Sequence, residues 1–369
     1  MLSEKMSFIA LHVFGRLVAL LLDDFSAIRK IDKSDMLSAI QKTPDRLVLP
    51  ADAESTCRIN IDPPRTIVFA GLGGSAIVGD ILADYCRDIV HVPVTVCRSV
   101  KIPEFVDKST FFVAISYSGD TRETLGLCEQ AKRRNANLAA VTSGGKLLSM
   151  ARTEGIPYLE VNASMPPRVA LPELVAALLH VLEEAGVLDT NGRLLESAST
   201  STRALIDSVK ITVPLTQNPA KQTAFSLHGH LPLLVGTEEN VSVLRRFKNE
   251  LNENSKEPAF FYSVPETFHN DIEGLKALNS LSKPQPIILR DVNQEESEQL
   301  EMKKLLETFS RFGYALPCFF SGIGDERFGW LFSAITFGDF VSFYLAMLND
   351  VDPSELTLIP HFKALKGQV

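Results

Sequence analysis

Thr110-Phe-Phe-Val-Ala-Ile-Ser-Tyr-Ser-Gly-Asp-Thr-Arg-Glu-Thr124 decides the fold. Thr110–Ile115 is a short apolar run that reads as a buried strand. Ser116–Thr121 is a hydroxyl-rich loop, and a helical pattern runs from it to Arg134. A buried strand passing straight into a helix is the unit of a parallel sheet covered on both faces. The unit recurs on either side. Thr66–Ala70 is a strand, followed by Gly71-Leu-Gly-Gly-Ser75 and a helix through Ala83. His91–Cys97, Leu138–Val141 and Ile156–Val161 are further strands, with Thr142-Ser-Gly-Gly145 opening another helix. Pro172–Ala185 is an apolar helix with proline in its first turn, which closes the domain.

A second alternation follows. Leu231–Val235, Ala259–Val264, Pro286–Arg290 and Tyr314–Phe320 read as strands. Val243–Ser255, Gln294–Phe312 and Trp330–Leu348 read as helices. The expected fold is α/β, with two doubly wound domains whose parallel sheets are flanked by helices. Residues 1–30 form an N-terminal extension or helix, 31–190 the first domain and 200–369 the second. The boundary falls near Asp189–Arg203, which is polar and rich in Ser and Thr.

The 369 residues suit two domains, and 45% hydrophobic residues suit a buried core. A net charge of −8 gives no ground for nucleic-acid binding. Five cysteines without a C-x-x-C spacing read as reduced thiols in a cytoplasmic protein. His228 and His230 are the only close histidine pair. No acidic or cysteine partner lies nearby in sequence, so no metal site is expected. The apolar stretch Met6–Leu22 is broken by His12 and Arg16 and is short for a span of about 20 residues. It reads as an amphipathic helix or a mis-assigned start, and no membrane attachment is expected.

An acidic chain that binds an anion needs a local site for it. Two strand-to-helix loops qualify. Gly71, Gly73 and Gly74 leave backbone N–H groups able to turn inward, and Ser75 adds a hydroxyl. Ser116, Ser118 and Thr121 supply three more around Gly119. Hydroxyls and helix N-termini suit a phosphate monoester. The alternative is that these side chains merely cap helices. Gly71-Leu-Gly73-Gly-Ser-Ala76 also fits a dinucleotide fingerprint, but the next strand ends Val96-Cys97-Arg98-Ser99 without the acid that NAD requires. Arg98 would tolerate only NADP.

The loop Ser116-Tyr-Ser-Gly-Asp-Thr-Arg-Glu-Thr124 resembles the signature of SIS (sugar isomerase) domains. Arg245-Arg-Phe-Lys-Asn-Glu-Leu-Asn-Glu-Asn-Ser-Lys256 and Pro166-Pro-Arg-Val-Ala-Leu-Pro172 resemble the bifunctional phosphoglucose/phosphomannose isomerases, from about Asp32 to the C-terminus. That resemblance implies two SIS-type domains and interconversion of glucose 6-phosphate with fructose 6-phosphate through a cis-enediolate, without a cofactor. Mannose 6-phosphate is the optional further substrate. The resemblance implies Glu253 as base, His269 as its helper, Arg168 beside the oxyanion and a C-terminal lysine. That lysine is Lys363 if the chain is aligned without a gap, Lys366 otherwise. The phosphate falls to Gly74, Ser75, Ser116, Ser118 and Thr121. It further implies a homodimer with shared active sites. Leu356 stands where some relatives have a threonine tied to mannose 6-phosphate, which weakens the case for that substrate. Asp120 stands where asparagine is usual.

Isomerisation moves one proton between C1 and C2, and a carboxylate can take and return it. Glu253 is read as that carboxylate, and Glu250, one turn earlier, as a solvated helix residue. A non-catalytic SIS-domain sensor or another SIS-domain enzyme are the alternatives. A sensor would usually carry an effector module, and the first 60 residues show no clear helix-turn-helix and no basic patch.

Overall fold

The computed structural model describes residues 21–49, 58–163, 165–291 and 295–366. Most of Met6–Leu22, together with Cys57, Gln294 and the side chain of Lys366, lies outside the described residues. Two short helices, α1 (Phe25–Ile31) and α2 (Met36–Gln41), precede the first sheet. That sheet is built from β1 (Thr66–Ala70), β2 (Val94–Cys97), β3 (Thr110–Ser116), β4 (Asn137–Thr142) and β5 (Tyr158–Glu160). All pairings are parallel, in the order β2-β1-β3-β4-β5. The intervening helices are α3 (Gly74–Cys86), α4 (Arg122–Arg133), α5 (Gly145–Glu154) and α6 (Leu171–Glu184). β3 is buried along its whole length, as a central parallel strand must be. Val68, Ala70, Phe112, Leu127 and Ala131 pack in one core cluster, and Ala114, Cys128, Ala140 and Leu147 in another.

The Ser- and Thr-rich segment expected at the domain boundary is largely helix. α7 (Arg193–Val209) spans it, and Leu194, Ala198, Thr202, Leu205 and Val209 are buried at helical spacing. α8 (Pro219–Leu227) leads into the second sheet, β6 (Leu231–Thr237), β7 (Phe260–Val264), β8 (Pro284–Leu289) and β9 (Cys318–Phe320). Its order is β7-β6-β8-β9, again all parallel. The helices are α9 (Val241–Glu253), α10 (Ile272–Leu281), α11 (Glu296–Arg311), α12 (Arg327–Leu348) and α13 (Leu358–Lys366). Leu233, Val235, Ile288, Leu305 and Phe309 centre the second core. α12 is long and apolar enough to cross a membrane, but its most apolar window is 94% buried within the fold, as in a core helix.

The chain divides into two compact units. One comprises residues 42–200 and 324–331, the other residues up to 41, 201–323 and 332–369. The four described cysteines are free thiols, and burial pushes the Cys86 and Cys128 thiols up to about 12.

Candidate active site

The first group of site residues gathers at the carboxyl end of the first sheet. An order of second-first-third-fourth-fifth leaves a crevice between β1 and β3, where the chain departs in opposite directions. The loops after those two strands are the ones expected to hold phosphate. Gly74 and Ser75 open α3, and Gly73 before them has φ of +55°, which glycine adopts without strain. Gly119 has φ of +70°, and a Cβ there would stand 1.8 Å from the Gly144 carbonyl oxygen. Only glycine lets the β3 and β4 loops approach so closely.

The hydroxyls bond within and between the two loops, and Ser118 Oγ accepts the Asp120 amide at 3.3 Å. The Ser116 hydroxyl donates to Thr121 Oγ1 at 3.1 Å, and the Tyr117 amide donates to Ser75 Oγ at 3.2 Å. Thr121 precedes α4 but its side chain makes no capping bond. Ser118 is exposed. The Asp120 carboxylate turns to the next helix, where Oδ1 accepts the Lys146 amide at 3.1 Å. Arg98 is committed to the Asp80 carboxylate and the Ala76 carbonyl, which removes it as a nucleotide-phosphate ligand.

Arg168 lies in a 3-10 turn (Pro167–Val169) between β5 and α6, in the same unit, and is 7% exposed. Arg46 holds that turn through the Val169 carbonyl and pairs with Glu173 at 3.5 Å. Burial pushes the Glu173 carboxyl up, against the pull of Arg46.

The second group is built on α9. Glu253 is its last residue and is half-buried. Beneath it lies a polar cluster that sequence reasoning missed. Glu250 is not solvated: it is 3% exposed, and its Oε1 meets Arg246 at 2.7 Å. Arg246 also reaches Asp339 at 3.1 Å. The Asn254 amide donates to Glu250 at 2.9 Å and to Ser342 at 3.0 Å. Burial opposes the Arg246 charge, but Asp339, Glu250 and Glu253 outweigh it and hold the guanidinium above its ordinary pKa. The signal was legible: Val243, Phe247, Glu250 and Asn254 follow helical spacing from a buried residue.

His269 ends a 3-10 turn after β7 and is exposed. α9 joins two parallel strands and so runs against them. Its last residue, Glu253, therefore lies toward the end of the second sheet where strands begin, and His269 toward the end where they finish. The structure does not bring these two together within one chain. Lys363 sits exposed on α13. The segment leading to α13 is tied near Glu253: Lys256 Nζ donates to the Asp352 carbonyl at 3.2 Å and to the Glu253 carbonyl at 2.6 Å. His228 Nδ1 is engaged with Asn349 at 3.0 Å. Among the described residues, no group of three His, Cys, Asp or Glu side chains forms a metal-holding cluster.

Residues 61–154 match the SIS domain, and residues 216–365 match the bacterial phospho-glucose isomerase C-terminal SIS domain. The class is therefore the SIS-domain proteins. A bifunctional phosphoglucose/phosphomannose isomerase of Caldicellulosiruptor bescii is 30% identical over 89% of this chain and 98% of its own. A D-glucosamine-6-phosphate 4-epimerase of Sulfolobus acidocaldarius is 31% identical over 60% of this chain and 68% of its own. A solved glucose-6-phosphate isomerase like protein of Thermus thermophilus shares the fold, with a TM-score of 0.62 at 14% identity, covering 93% of this chain and 99% of that one. The chain belongs to the bifunctional phosphoglucose/phosphomannose isomerase family and is an isomerase.

Proposed function

We propose that the protein interconverts glucose 6-phosphate and fructose 6-phosphate in the cytoplasm as a homodimer, with Glu253 carrying the C1/C2 proton. The observation that carries the reading is Glu253 at the end of a helix that a buried Arg246–Glu250–Asp339 cluster fixes in place. Gly74, Ser75, Ser116, Ser118 and Thr121 hold the phosphate by hydrogen bonds and the α3 and α4 termini. Arg168 faces the oxyanion of the cis-enediolate. His269 and Lys363 open the sugar ring, an imidazole being able to donate or accept a proton at its two nitrogens. Glu253→Gln removes the carboxylate that takes and returns the proton, and kcat should fall about 10²–10⁴-fold in a coupled assay with fructose 6-phosphate. Near-wild-type turnover would end the assignment. The same assay separates this reading from epimerisation of an amino sugar phosphate, which leaves fructose 6-phosphate untouched.

The placement of Glu253 and His269 at opposite ends of one sheet supports shared sites, His269 serving the neighbouring subunit. Mixing inactive Glu253→Gln with inactive His269→Ala protein then restores activity, because each heterodimer holds one intact site. Half the dimers would be mixed, so recovery approaches about a quarter of wild type. No recovery after verified exchange of subunits would place both residues in one chain's site.

A further inference from the structure

Tyr117 stands between Ser116 and Ser118, and its main chain is pinned to two loops. Its amide donates to Ser75 Oγ at 3.2 Å, and its carbonyl accepts the Ser143 amide at 2.9 Å. Side chains alternate along a strand and its extension, so the ring points away from Ser116. It is 7% exposed and ends on the segment that carries Arg168. The phenol shares its proton between the Asn162 carbonyl at 3.0 Å and the Met165 carbonyl at 2.8 Å, and accepts the Met165 amide at 3.2 Å. From the other side the Arg46 guanidinium contacts Met165 Sδ and the Val169 carbonyl. The Val169 amide returns to the Pro166 carbonyl at 3.1 Å. Between the anchored Met165 and Arg168 there is only this tight turn, so little backbone is available to absorb a shift.

We propose that Tyr117 is a positioning residue that couples the phosphate loop to Arg168, setting where the guanidinium stands relative to a substrate whose phosphate the loop has seized. The proposal rests on the role given above to Arg168. One residue whose backbone touches Ser75 and whose hydroxyl holds Met165 makes the distance between phosphate and guanidinium a property of a single rigid piece. A reaction with the charge developing several bonds from the phosphate needs that distance fixed, since a misplacement of about 1 Å costs on the order of 10²-fold. Burial, with Glu173 adding to it, raises the phenol's pKa despite the Met165 bond and Arg46, so it stays a protonated donor at neutral pH. If Tyr117 were mere packing, its ring would suffice and its hydroxyl would be dispensable.

Tyr117→Phe keeps the ring and removes the hydroxyl. Arg46→Lys keeps the charge for Glu173 and removes the guanidinium fork that spans Met165 Sδ and the Val169 carbonyl, and serves should the first variant fold poorly. Each should lower kcat for fructose 6-phosphate about 10–100-fold. KM, and the inhibition constant of inorganic phosphate as a reporter of the loop, should stay within about twofold. In an Arg168→Ala background either change should cost less than about twofold more, because the group being positioned is gone. Unchanged kcat in both variants overturns the proposal. So does a full additive loss on top of Arg168→Ala, or a rise in KM and phosphate inhibition constant with kcat intact. Wild-type kcat in Arg168→Ala alone would instead overturn the role of Arg168, and the coupling with it.

Discussion

At the carboxyl end of the first sheet the loops and helix starts carry Gly71–Ser75, Ser116–Thr121 and Thr142–Gly145; at the same end of the second they carry Glu238, Glu239, Arg290, Asp291, Glu295, Glu296 and Glu298. The two sheets share the order second-first-third-fourth, so each has a crevice between its first and third strands. In the first crevice Ser75 Oγ accepts the Tyr117 amide of the neighbouring loop, Ser116 bonds Thr121 within its own, and the Asp120 carboxylate turns to the Lys146 amide. In the second, Asn240 bonds Asp291 and Thr237, both at 3.1 Å. There Glu298 meets Glu239: burial, then the hydrogen bond and charge of Glu239, push the Glu298 carboxyl up to about 7. Topology supplies two equivalent places for a ligand. Hydroxyls dominate the first and carboxylates the second, and like charge disfavours a dianion, so the reading proposed above puts the phosphate in the first.

That contrast breaks first at the hydroxyls. Ser118→Ala with Thr121→Ala should raise KM for fructose 6-phosphate by about tenfold or more, through loss of hydrogen bonds to a charged group. Glu239→Gln with Glu298→Gln should leave KM within about twofold. If the first pair is silent and the second shifts KM, the phosphate uses the second sheet and the comparison is inverted.

A smaller effect sharpens the first crevice. Asp120→Asn keeps an oxygen acceptor for the Lys146 amide but removes a negative charge from the loop proposed to hold phosphate. KM should fall about two- to threefold as repulsion is relieved. Stability should drop by about 0.3–1 kcal/mol, since a carboxylate at the α5 N-terminus is favoured by the helix dipole. A rise in KM would mean that the carboxylate serves the substrate.

Much of this architecture is legible in the sequence because parallel sheets mark themselves locally. Thr66–Ala70 and Thr110–Ser116 are apolar runs that end at glycine and serine, and both are strands in register with each other. What escapes depends on partners distant in the chain. Glu250 on a charged helix looks solvated until Asp339, far away in sequence, places its partner Arg246 in the interior. The hydroxyls of residues 193–203 look like a linker, yet Ser201 and Thr202 are buried on α7 among Leu194, Ala198 and Leu205. Tyr117 reads as a spacer between two serines, because nothing nearby in sequence shows that Met165 waits for its hydroxyl. His269 and Lys363 are exposed in this chain, so their chemistry is named by likeness of motif and not by packing.

The smallest effect tests the second crevice alone. Glu298 is third in α11, and its carboxylate accepts the Glu295 amide at 3.1 Å in a capping box. Glutamine serves that box equally well, so Glu298→Gln changes charge without removing the cap. With a folded pKa of about 7 against 4.5 ordinarily, the native carboxyl keeps a proton that the unfolded chain has already lost. Between those two values the fold binds more protons, so stability falls as pH rises through the window and is level above it. Glutamine is neutral throughout and escapes that loss. Glu298→Gln should therefore melt above wild type at pH 8, by about 1–2 °C given that the carboxyl is partly exposed and screened. The gap should narrow steadily as pH falls toward 5, where the wild-type carboxyl is protonated in the fold. A gap that stays constant from pH 8 to pH 5 would show that Glu298 and Glu239 do not share a proton, and the repulsive character assigned to the second crevice would lose its basis.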